Sequence, residues 1–156
     1  MNNDELLRPT LSEYRAGPAL YNETGLALAA FLGGPVGAGV YGAANSFRLS
    51  RLKQELPVIV AAVAASFLLV FELERFGLLR ELAQALDATG TSTLKITLRA
   101  LGLACFGAIY LMQRRFYRAA QVSGVESLKG WIPGLAAVVL GYAANLAFAY
   151  GFLQHH

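Results

Sequence analysis

Four windows of the chain carry no charge: Thr24–Phe47, Leu56–Phe71, Ala100–Gln113 and Gly130–His156. A helix that crosses a bilayer needs about 20 mostly apolar residues to traverse about 30 Å of hydrocarbon. The first and last windows meet that length unaided. The third covers only about 21 Å at the helical rise, so the middle two reach spanning length only by taking charges into their outer ends. The second then continues through Glu72, Glu74 and Arg75 towards Leu79, and the third begins near Thr93 and includes Lys95 and Arg99. The pattern predicts spans at about 24–47, 57–79, 93–113 and 132–153 of a single transmembrane domain covering residues 1–156. The fold class expected is an all-α, integral membrane four-helix bundle.

Shorter signals lie between these windows. Thr10-Leu11-Ser12-Glu13 has the spacing of a capping box, so a short surface helix is expected within the tail 1–22 before Pro18 stops it. Asn22-Glu23-Thr24 matches a glycosylation acceptor and equally a helix cap. Leu78, Leu79, Leu82 and Leu86 fall at helical spacing among Arg80, Glu81 and Asp87, which predicts an amphipathic outer segment. Thr89 to Thr93 then turns the chain and caps the third span.

Composition narrows the class. Hydrophobic residues make up 56% of the chain and charged ones 15%, against about 45–50% and about 25% in soluble domains. The net charge of +3 is small, and its distribution is more telling. Arg48, Arg51 and Lys53 occupy the first loop, and Arg114, Arg115, Arg118 and Lys129 the third. By the positive-inside rule both loops face the cytoplasm, which places both termini outside. Lipid headgroups are the natural contacts of such loops, and nucleic acid is not an expected partner. Asp4 and Glu5 stand where a secretory signal has basic residues.

Chemistry is sparsely supplied. Cys105 is the one cysteine, which excludes an intramolecular disulfide or a cysteine-based zinc site. His155 and His156 are the only histidines, so neither a His-dependent triad nor a membrane metalloprotease motif can form. No phosphate loop or dinucleotide fingerprint is present. No enzyme activity, cofactor or metal is expected.

The candidate functional residues are polar or helix-breaking groups at membrane depth. Gly33, Gly34, Pro35 and Gly37 interrupt the first window; they read either as a broken helix with free backbone groups or as a kink held by close packing. Asn45 and Asn145 each end an Ala-Ala-Asn triplet in an uncharged stretch and can bond across helices or line a polar path. Glu72 and Arg99 lie near the outer ends of the middle spans, where a Glu72–Arg99 ion pair would offset the cost of burying either charge. Small residues form stripes along Ala30, Gly34, Ala38 and Gly42 and along Ala137, Gly141, Asn145 and Ala149, a pattern that lets backbones approach closely. Leu52-Lys53 before Pro57 and Leu128-Lys129 before Pro133 also suggest a 2+2 parallel internal repeat.

Tyr21, the stretch Ala27 to Pro35, Asn45 and Phe47 carry a resemblance. This segment is similar to the first helix of a set of small uncharacterised bacterial membrane proteins, with an aromatic-Leu-Gly-Gly-Pro core and an asparagine before a basic loop. The resemblance implies a bacterial inner-membrane location and transfers no activity. The functional expectation is a non-enzymatic membrane protein acting through helix association, as a homo-oligomer or with another membrane protein as accessory or immunity-type partner. The alternative is a small channel or transporter built on the broken first helix.

Overall fold

The computed structural model describes residues 19–85, 90–122, 128 and 130–154. The tail with the Thr10–Glu13 capping box, Lys129 and the terminal histidines lie outside them. Five helices follow in order: α1 (Glu23–Arg48), α2 (Leu52–Arg75), α3 (Leu78–Ala85), α4 (Gly90–Val122) and α5 (Trp131–Gln154). All but α3 contain stretches long and apolar enough to cross a bilayer, so the chain has the make-up of a multi-pass membrane protein. Outward faces agree: Leu68, Phe71, Leu111, Ile132, Leu135 and Val139 are all more than half exposed, a surface suited to lipid and costly in water.

The first helix does not run straight. Gly34 sits at φ 63°, ψ −154° in the middle of α1, a backbone region that is essentially glycine's alone. Pro35 follows it and has no N–H to continue the ladder. Glycine just past one helix end and proline at the start of the next is the expected punctuation for two separate helices.

The contacts show how sharply the chain turns. In a straight helix Asn22 and Tyr41, 19 positions apart, would be separated by about 28 Å along the axis. The Tyr41 hydroxyl instead lies 3.1 Å from the Asn22 carbonyl oxygen. The Tyr21 amide, 24 positions from Asn45, donates to its Oδ1 at 2.9 Å. A Cβ added at Gly37 would run into the Ala29 carbonyl. Residues equidistant from Gly33 thus face one another, and α1 is a hairpin of two half-helices with Gly33-Gly34-Pro35 at its tip.

Two glycines of other helices hold that tip. A side chain at Gly102 of α4 would strike Ala30 and the Gly34 backbone, and one at Gly141 of α5 would strike the Gly33 backbone. Helices α4 and α5 both pack mainly on α1, and α2 closes the side near Gly39 through Ile59 and Val63. The core around the hairpin comprises Leu26, Ala29, Ala30, Ala38, Tyr41, Ile59, Cys105, Ile109 and Ala137. Beyond the tip a second cluster of Val70, Leu79, Leu94 and Leu98 joins α2, α3 and α4, and Phe148 of α5 stacks on Phe67 at 4.8 Å.

Three sequence expectations change with this geometry. The segment 24–47 doubles back on itself instead of running as one straight helix, because its two ends meet at Tyr21 and Asn45. Residues 19–22 and the end of α5 lie at opposite ends of the helix bundle. Residues 19–22 lie beside Leu128 and Gly130 at the base of the hairpin, whereas α5 runs past the tip towards Gln154. The halves of the proposed repeat also differ in build, since α1 reverses at Gly34 while α4 continues over 33 residues.

The turn has a stability signature. Gly34→Ala is expected to cost about 1–3 kcal/mol, because alanine resists this backbone region and its Cβ would come within 2.7 Å of Asn145 Nδ2. Gly107→Ala, at a helical site with nothing within 4 Å, should be neutral or stabilising by up to about 1 kcal/mol. Thermal unfolding of the two variants in detergent checks this, and equal melting points for both would rule out the turn.

Candidate functional site

Buried polar groups concentrate at two levels of the hairpin. At the tip, Gly33, Gly34, Pro35 and Gly37 are all buried. Reversing the chain there ends one half-helix and starts another, so carbonyls of the first arm and amides of the second lose their helical partners. Asn145 of α5 meets this break and donates from Nδ2 to the Gly33 carbonyl at 3.2 Å. Its Oδ1 is buried without a hydrogen-bond partner among the described residues.

The second level is the open end of the hairpin, beside the α1–α2 turn and the C-terminal part of α4. Asn45 is wholly buried; it accepts from the Tyr21 amide and donates from Nδ2 to the Tyr117 hydroxyl at 2.6 Å. One asparagine therefore ties the strand before the hairpin, its second arm and α4. Arg48 fastens the same strand, donating from Nε to the Ala19 carbonyl at 2.9 Å and stacking over Tyr21. The Leu128 amide completes the strap by donating to the Leu20 carbonyl at 2.8 Å.

Beside this strap lies a cluster that joins three helices. Ser46 Oγ donates to Glu55 Oε2 at 2.7 Å, and Gln113 Nε2 lies 2.9 Å from Ser46 Oγ and 3.2 Å from both Glu55 Oε2 and the Gly42 carbonyl. Ser46 and Gln113 are fully buried and Glu55 is 5% exposed. Arg51 Nε faces the other carboxylate oxygen at 3.4 Å, close enough for an ion pair but not aligned for a hydrogen bond.

The sequence-derived candidates thus separate. Asn145 joins Gly33 and Gly34 at the tip, while Asn45 belongs to the opposite end of the hairpin. Glu72 and Arg99 do not pair: Glu72 lies 3.7 Å from Arg75, and Arg99 stacks on Phe31 with its guanidinium carbon 5.3 Å from the ring centre. An i,i+3 partner on the same helix satisfies Glu72 without bringing α4 closer. Cys105 is buried and shares a 3.1 Å contact with Ser66.

Ser46, Glu55, Gln113, Tyr117 and Tyr41 were not singled out by sequence reasoning. Glu55 and Gln113 sit at the borders of their uncharged windows and read there as ordinary loop flanks. A usable signal was present at Arg51 and Glu55, an i,i+4 pair at a helix start. An open groove of about 780 Å³ beside the α1–α2 turn is lined by Phe47, Arg48, Ser50, Leu52, Lys53 and Gln54. No group of three or more His, Cys, Asp or Glu side chains placed to hold a metal occurs among the described residues. No family model, curated protein or solved structure matches this chain.

The strap makes a checkable claim. Asn45→Ala removes the acceptor of the Tyr21 amide and the donor to the Tyr117 hydroxyl oxygen, and leaving buried polar groups unpaired costs about 1–3 kcal/mol. The expected result is a lowered melting temperature together with faster proteolytic cleavage around residues 19–22. Unchanged proteolysis would mean that Asn45 does not hold the strap.

Proposed function

We propose that this protein is a small channel- or transporter-type membrane protein whose re-entrant hairpin is the working element. The observation that carries the reading is the reversal at Gly34, with its half-helix ends buried among α4 and α5. Non-helical backbone within a bilayer is tolerated only where protein buries it or where it lines an aqueous cavity. An unbroken helix would satisfy every backbone group at less cost, so the break calls for a function. Discontinuous helices near the bilayer midplane are where transporters place their sites. Gly33, Gly34, Pro35 and Asn145 are the residues assigned to the solute path, and Asn45, with the strap, to its basic end.

The proposed setting is a bacterial inner membrane with the basic end in the cytoplasm, following the positive-inside rule. Residues 19–22 then lie on the cytoplasmic side and the end of α5 on the other. The groove beside Arg48 and Lys53 would rest against lipid headgroups. Glu72 and Arg99 lie outside the proposed path, on exposed faces. Association with a second copy or another membrane protein is the second reading. It is favoured by Gly107, which has no neighbour within 4 Å on α4, because glycine on a helix face in lipid permits close helix approach.

Two measurements test the proposal. Single cysteines at Asn22, Ser50 and Gln154 in a Cys105→Ser background are expected to label with an impermeant maleimide from one side for Asn22 and Ser50, and from the opposite side for Gln154. Labelling of Asn22 and Ser50 from opposite sides would remove the hairpin. Proteoliposome flux should then fall at least tenfold in Asn145→Ala with assembly intact. Intact flux in that variant, or no flux in wild type above empty vesicles, would leave association as the function.

A further inference from the structure

The groove of about 780 Å³ beside the α1–α2 turn has a lining divided by chemistry. Arg48, Ser50, Lys53 and Gln54 supply its polar part, and Phe47 and Leu52 its apolar part. Phe47 is 71% exposed. A large ring left open beside two cations is costly in water and suits a ligand with both a charged and an oily portion. No acid is among the lining residues. Glu55, the carboxylate nearest in sequence, is buried and held by Ser46, Gln113 and Arg51, so it does not cancel the charge of the groove.

The donors of these residues are not all spent. An arginine carries five N–H hydrogens. Arg48 uses one on Nε for the Ala19 carbonyl at 2.9 Å and one on Nη1 for the Tyr21 hydroxyl at 3.3 Å, which leaves three. Lys53 is exposed and forms no ion pair among the described residues. Helix α2 begins at Leu52 without a side-chain cap, and the first backbone bonds run from the Gln54 and Glu55 amides to the Arg51 carbonyl. The Leu52 and Lys53 amides therefore have no acceptor among the described residues, as expected at an uncapped helix start. Two cationic side chains, two free amides and the positive end of the α2 dipole come together at one groove. What they lack is an anion rich in acceptors.

We infer that this groove binds an anionic phospholipid, with the phosphate on Arg48 and Lys53 and the glycerol and upper acyl chain against Phe47 and Leu52. Guanidinium and phosphate match in charge and in paired hydrogen-bond geometry, and basic pockets beside membrane-spanning helices suit lipid headgroups. The apolar part of the lining selects a lipid over free phosphate, which would leave Phe47 uncovered. Arg48 also ties the strap to the end of α1, so a bound lipid would brace that joint. Placing the groove on the cytoplasmic side rests on the function proposed above. Lipid binding itself does not depend on solute movement, and either reading can fail alone.

The test is thermal unfolding of the purified full chain in uncharged detergent at constant ionic strength. The titrants are phosphatidylglycerol, phosphatidylcholine of the same acyl chains, and glycerol 3-phosphate. Phosphatidylglycerol is expected to raise Tm saturably, by roughly 3–6 °C at ten times its apparent Kd, and the other two to leave it unchanged. Lys53→Gln, at an exposed side chain with no ion pair to lose, should weaken the apparent affinity about fivefold, and Arg48→Gln at least as much. Arg115→Gln removes the same charge from α4 outside the groove and should keep the wild-type affinity. An equal response to the two lipids, or an equal loss in Arg115→Gln and Lys53→Gln, would overturn the site. So would glycerol 3-phosphate acting as well as the lipid, which would make the ligand a free phosphate.

Discussion

The reversal at Gly34-Pro35 is the constraint on which the rest of the molecule depends. A chain that turns back inside a bundle leaves backbone groups without helical partners and demands very close neighbours. Gly102 and Gly141 meet the second demand from opposite sides, since any side chain at either would strike the hairpin backbone. Asn145 meets part of the first by donating to the Gly33 carbonyl. The small-residue stripes are therefore the surfaces of a socket.

The open end is held by different physics. Close packing governs the tip, while the base relies on directional bonds between residues far apart in sequence, such as Asn45 and Tyr117, 72 positions apart. Tyr41 bridges the two regimes: its ring fills the space between the arms against Gly25 and Gly134, and its hydroxyl reaches Asn22.

Much of this arrangement was legible in the sequence, and the illegible part has a physical reason. Uncharged windows locate the apolar helices because burial in lipid leaves a compositional mark. Gly33-Gly34-Pro35 marks a break because glycine and proline act on their own backbone. Whether a break bends the helix slightly or turns it right round is not a local property. It depends on Gly102, Gly141, Asn45 and Tyr117, none of which differs in kind from residues that merely pack two straight helices. Hydropathy counts apolar residues and is blind to direction, so the first window read as one continuous helix. Glu55 and Gln113 escaped notice because they border their windows, where charge and polarity are unremarkable until Ser46 is brought between them.

The socket also imposes an order on biosynthesis. The segment Glu23–Arg48 leaves the ribosome well before Gly102, and Gly141 and Asn145 follow later still. Until then the turn has no neighbours to cover it, and the Gly33 carbonyl has no Asn145 to meet it. The packing that covers the turn is complete only when α4 and α5 are present. The hairpin consequently reaches its final shape only after segments that are made later than itself.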